Sequence, residues 1–103
     1  MKYLFTKGDE IMVYVLGKLK IENYSKWKPV FDERAVIRQE YGGYEAHLFR
    51  NFDDPNEVVI LFKWDNFENA HKYFESEALQ EALKNAGAKE IRVTYLDEIA
   101  KTI

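Results

Sequence analysis

The sequence predicts an α+β domain in the order strand, helix, strand, strand, helix, strand, folded as a four-stranded antiparallel sheet with both helices on one face. Three observations lead there. Segments rich in β-branched and aromatic residues alternate with segments whose apolar residues recur at helical spacing. Cap and stop residues fall at the junctions between them. The 103 residues, 47% hydrophobic and 16% aromatic with only 2 prolines, suit one packed core that buries roughly two-thirds of the unfolded surface.

The elements follow in order. Residues 11–21 alternate as a strand, with Ile11, Val13, Val15, Leu19 and Ile21 on one face and Met12, Tyr14 and Leu16 on the other. Asn23 is placed to cap a helix over residues 24–41, in which Trp27, Phe31, Arg34, Ala35 and Arg38 recur at helical spacing beside Val30 and Ile37. Pro29 falls early enough in it to be tolerated. Gly42 and Gly43 supply the conformational freedom that ends it. Residues 44–50 and 57–65 read as a hairpin around the Asp53-Asp54-Pro55 turn. Asn66 caps a second helix through Phe67, Ala70, His71 and Phe74, and Ser76 restarts it through Leu79, Ala82, Leu83 and Ala86 up to Gly87. Residues 91–98 form the last strand, Ile91, Val93 and Tyr95 alternating with Arg92, Thr94 and Leu96.

This order is ferredoxin-like, βαββαβ. Two helices cover one sheet face, so the other presents Met12, Tyr14, Leu16 and half of the run from Val58 to Phe62 to a partner. An apolar area of that extent predicts a homodimer through the open face. One domain is expected over residues 11–98, with residues 1–10 as an extension or a short extra strand through Tyr3 and Phe5, and residues 99–103 as a tail.

Composition excludes several functions. A formal charge of -3 and interspersed Lys and Glu give no basic stripe, so nucleic acid is not an expected partner. The absence of cysteine removes disulfides, thiolate nucleophiles and thiolate metal sites. The 2 histidines lie far apart, so no metal is expected. The apolar runs are too short for a bilayer, and residues 1–10 hold no leader-like apolar stretch, so the expectation is a soluble cytoplasmic protein.

Three stretches, Tyr24-Ser-Lys-Trp-Lys-Pro-Val-Phe-Asp32, Phe52-Asp-Asp-Pro-Asn-Glu-Val-Val-Ile-Leu-Phe-Lys-Trp-Asp65 and Ala70-His-Lys-Tyr-Phe-Glu-Ser76, resemble the dimeric α+β barrel superfamily, in particular a largely uncharacterised branch of the antibiotic biosynthesis monooxygenase-like domains. The resemblance implies a homodimer whose sheets pack face to face and a small pocket in each subunit. Members elsewhere in the superfamily oxidise polycyclic aromatics without a cofactor, degrade haem, isomerise lactones or bind small effectors. No cofactor is expected here. A haem-degrading relative would need an asparagine on the first strand, and this chain has none; Trp64 and His71 would imitate only two of its groups.

The candidate catalytic residues are Glu45, His47 and His71. Glu45, His47 and Phe49 share a strand face, and a carboxylate beside an imidazole can fix its tautomer for general-base work, or can simply be a solvated edge pair. His71 lies on the helix stripe with Phe67, Ala70 and Phe74 and is expected to point inward, toward core or pocket. Tyr14, Phe62 and Trp64 are the expected substrate-pocket residues, their rings suited to a flat aromatic compound or to a dimer core. The function expected is a small-molecule-binding dimeric barrel, of the cofactor-independent monooxygenase type, acting on an aromatic or polyketide-like compound. The alternative is a non-enzymatic ligand sensor or structural dimer.

Overall fold

The structure, a computed structural model, describes residues 12–103; the expected extra strand through Tyr3 and Phe5 lies outside the described residues. The order is β1 (Val13–Ile21), α1 (Tyr24–Glu33), α2 (Ala35–Glu40), β2 (Gly43–Arg50), β3 (Glu57–Trp64), α3 (Phe67–Phe74), α4 (Glu77–Asn85) and β4 (Ala88–Leu96). The sheet is antiparallel throughout, with strand order β2-β3-β1-β4. That is the ferredoxin-like arrangement predicted from the sequence. Both crossovers carry helices to one face, as right-handed connections require.

Period-2 alternation divides the sheet. Val13, Val15, Leu19 and Ile21 of β1 and Val58, Ile60, Phe62 and Trp64 of β3 are buried beneath the helices with Trp27, Ala70, Tyr73, Phe74 and Leu79. Across the open face the strand register sets rows of neighbours: Glu45, Lys63, Tyr14 and Leu96 in one row, His47, Leu61, Leu16 and Thr94 in the next.

The expected caps are present. Asn23, Asn66 and Ser76 accept backbone N–H groups three residues on, from Lys26, Asn69 and Leu79. Gly42 and Gly87 take φ of 105° and 80° where their helices end. In the hairpin loop, Asn51 and Asp54 accept the backbone N–H groups of Asp53 and Asn56, while Lys20 pairs with Asp54 and Lys18 with Glu57, the latter at 3.1 Å.

Two boundaries depart from the sequence expectation. The first helix is broken: Arg34, with φ -83° and ψ 0°, separates α1 from α2. Arg34 donates Nε–H to the Tyr73 hydroxyl at 3.0 Å, a contact 39 residues away that local spacing does not encode. The last strand begins at Ala88 rather than Ile91, because Ala88 and Lys89 already pair with Ile21 and Lys20. The register shifts there, and Glu90 takes φ 52°. Among the described residues no helix is long and apolar enough to cross a membrane.

Candidate functional site

The sheet separates the residues that the sequence grouped as one pocket. Tyr14 and His47 point to the open face, whereas Phe62 and Trp64 point to the helices. On the open face, His47 Nε2 lies 3.3 Å from Glu45 Oε2, and its ring stacks against Phe49 with centroids 6.5 Å apart. Both partners are more than half exposed, at 58% and 53%. Tyr14 faces Glu98 of the C-terminal segment. Its hydrogen bond to that carboxylate, with burial adding to it, holds the phenol above its usual pKa.

His71 is exposed rather than inward-pointing. Its ring rests on the outer side of α3, 5.3 Å from Phe67 and 5.9 Å from Tyr95. The stripe it shares with Ala70 and Phe74 is wide enough that its edge faces solvent, which spacing alone does not resolve. Tyr95 is the residue beneath it, and burial raises the phenol pKa there too. Among the described residues its buried hydroxyl has no hydrogen-bond partner.

The helix side holds the aromatic cluster. Trp64 is fully buried, donates Nε1–H to the Tyr41 carbonyl at 2.9 Å and stacks on Tyr73 at 5.3 Å. Phe62 meets Phe74 edge-on at 5.0 Å and lies 6.3 Å from Phe31. Beside them, between α2 and β2, a cleft of about 340 Å³ is lined by Phe31, Arg38, Gly43, Ala46, Phe62 and Trp64, with Glu45 at its wall. Further in, between the sheet and α1 and α4, an almost wholly apolar cavity of about 70 Å³ is lined by Gly17, Trp27 and Leu79 and by Arg34 and Tyr73. Phe31, Arg38 and Phe62 border both spaces.

Two guanidinium groups stand here, Arg38 at the border of both spaces and Arg34 at that of the inner one. Arg38 lies over the Phe31 ring at 4.0 Å and donates Nη1–H to the Phe31 carbonyl at 2.9 Å. Arg34 lies over Tyr73 at 5.4 Å. Burial pulls the Arg38 pKa below its usual value, and the neighbouring Arg34 charge acts in the same direction; an arginine remains charged at neutral pH regardless. Sequence reasoning placed both arginines on the helix stripe and did not single them out as cleft residues. The signal was there: two charges at i and i+4 among residues that pack inward. Among the described residues no group of three His, Asp or Glu side chains converges as a metal site.

No family model matches the chain and no curated protein matches it. Solved structures do match. SnoaB, a cofactor-independent oxygenase from Streptomyces nogalater, is 13% identical with a TM-score of 0.73, the match covering 88% of this chain and 96% of that one. A Bordetella bronchiseptica protein provisionally named an antibiotic biosynthesis monooxygenase is 14% identical with a TM-score of 0.72, covering 86% and 98%. A third structure, of an antibiotic biosynthesis monooxygenase, is 16% identical with a TM-score of 0.65, covering 85% and 99%. At such identities the likeness is one of backbone, and by it the chain has the ferredoxin-like α+β fold of the antibiotic biosynthesis monooxygenase-like proteins.

Proposed function

We propose that the chain is a small-molecule-binding protein of the cofactor-independent monooxygenase type, working as a homodimer, and that the cleft between α2 and β2 receives a small aromatic compound. The observation that carries the reading is the cleft itself. At about 340 Å³, lined by the aromatic residues Phe31, Tyr44, Phe62 and Trp64 with Arg38 and Glu45 as its charged groups, it combines ring surface with a few polar groups as a ligand site does, at the small end of the usual size range. A cofactor-independent oxygenation takes its electrons from the substrate. The protein must supply a water-poor space, a base for an acidic phenol and a donor for the resulting oxyanion. Arg38 fits the donor role. The base in this reading is Glu45, which borders the cleft at the edge strand, with His47 hydrogen-bonded to it from the open face.

The homodimer rests on the open face, where Tyr14, Leu16, Val59, Leu61, Phe49 and Leu96 leave apolar surface uncovered, Phe49 at 54% exposure and Leu96 at 38%. A second copy set against that face would also enclose His47.

Oxygen uptake tests the enzyme. Quinols and flavonoid-like phenols are expected to drive cofactor-free oxygen consumption that His47→Ala, which takes away the partner of Glu45, reduces while the assembly state is kept. Unchanged uptake in that variant would remove His47 from the mechanism. One observation favours the non-enzymatic reading, a ligand-sensing module: neither His47 nor His71 lines the cleft or the inner cavity. Tight binding of a phenol with no oxygen uptake would establish it.

A further inference from the structure

Arg34 and Arg38 carry two positive charges one helical turn apart on the same side of the broken helix, both half-buried. Like charges at that spacing repel, and burial adds to the cost. A protein that used them only for packing would be expected to pair them with carboxylates. Among the described residues neither guanidinium has an acidic partner within ion-pair distance. Asp32, two residues before Arg34, is held by Lys28 at 2.7 and 2.9 Å. What the protein does offer the two groups is neutral: the Tyr73 hydroxyl for Arg34 and the Phe31 carbonyl for Arg38. Two guanidinium groups carry ten N–H donors between them, far more than these two acceptors take up.

The positions of the donors add to this. Arg38 borders both the outer cleft and the inner cavity, and Arg34 borders the inner one. A group bound in the cleft therefore meets Arg38 directly, while Arg34 acts on it from one helical turn away across the inner cavity. The guanidinium plane of Arg38 is already stacked on Phe31, which fixes its fork and lowers the entropy lost when it grips a planar acceptor. The wall around it is formed by the rings of Phe31 and Tyr44, with Phe62 and Trp64 buried behind, and Glu45 stands at the outer rim on the edge strand.

We infer that the cleft selects an organic anion: a flat aromatic carboxylate whose charged end is held by Arg38, with Arg34 reinforcing from the inner cavity, and whose ring lies against Phe31 and Tyr44. This rests on the reading of the cleft as the ligand site and names the class of ligand. A bidentate guanidinium–carboxylate contact in a partly desolvated place is the strong form of a charge-assisted hydrogen bond. It gives discrimination between an acid and its neutral isostere that apolar walls alone cannot give.

The experiment is calorimetric titration of the native protein with 2-naphthoate and with neutral 2-naphthamide, which share ring and shape. The acid is expected to bind about tenfold or more tightly than the amide. Arg38→Gln should erase that preference, the acid losing about tenfold more affinity than the amide, and Arg34→Gln should reduce it in part. Arg38→Lys keeps charge without the planar fork and should restore only a fraction of the preference; circular dichroism establishes that each variant is folded. Equal affinities for acid and amide in the native protein, or a preference that survives in the double Arg34→Gln/Arg38→Gln variant, overturn the inference and leave the cleft as a site for neutral ligands. Binding of neither probe overturns this inference and removes support from the cleft as the aromatic ligand site.

Discussion

Two strand glycines allow a paired test of how tightly the site is packed. A methyl group at Gly43 would meet the Arg38 carbonyl at 3.0 Å and the Trp64 ring at 3.1 Å. Neither neighbour can yield freely: Trp64 is fully buried and tied to the Tyr41 carbonyl, and the Arg38 carbonyl is helix backbone. A methyl at Gly17 would instead meet Phe62 Cε2 at 3.6 Å and the Ile60 carbonyl at 4.0 Å, ordinary contact at the border of the inner cavity. Overpacking costs about 1–3 kcal/mol, while replacing glycine by alanine where the backbone permits returns about 0.4–1 kcal/mol through the unfolded chain. Gly43→Ala is therefore expected to lose about 1–2 kcal/mol, lowering Tm on the order of 5–10 °C for a domain of this size. Gly17→Ala should gain roughly 0.5–1 kcal/mol and raise Tm by about 3–6 °C. Thermal and urea unfolding of both variants under one set of conditions decide the matter. If Gly43→Ala is neutral, or if the two shifts share a sign, then the cleft wall is softer than the packing of Trp64 against β2 requires, and its shape is no basis for ligand selection.

Three further outcomes are expected. Ser76→Ala should cost about 1 kcal/mol in chemical unfolding, toward the upper part of the usual range, because Ser76 Oγ both accepts from Leu79 and donates to the Tyr73 carbonyl at 2.8 Å. Glu57, hydrogen-bonded by Asn51 at 2.8 Å and paired with Lys18, has a carboxyl pKa held below its usual 4.5; its contribution is complete above that value and is lost as pH falls through the lower folded-state value, so acid unfolding of Glu57→Gln should be less steep below about pH 4.5. Leu61→Glu places a charge in the middle of the open face, beside Leu16 and His47, and should convert a dimer at micromolar concentration into a monomer by sedimentation velocity; a native protein that already sediments as a monomer would refute the pairing.

The fold was legible because its signals are local. Alternation in β1 and β3, the caps at Asn23, Asn66 and Ser76, and the stops at Gly42 and Gly87 each depend on a few neighbouring residues, and all stand where they were expected. The break at Arg34 was not legible, since it accompanies a bond to Tyr73 on α3 that no window of sequence contains. The candidate site was legible only in its parts. Phe62 and Trp64 were recognised as wall residues, and Glu45 and His47 as a pair on one strand face, but period-2 alternation puts the two sets on opposite sides of the sheet. The arginines were visible as members of an apolar stripe, where a charged residue with a long stem is easily read as one that reaches out to water. Only the packed helices show that these two turn along the interior instead.

The irregular start of β4 bears on how copies of the chain can add to one another. With its register shifted and Glu90 at positive φ, the first part of that border breaks the straight ladder of free amide and carbonyl groups along which an incoming strand would pair. Growth by strand addition can run on without end, whereas a contact between broad faces consumes both and closes. The kink at Glu90 therefore biases assembly toward finite particles and away from fibres.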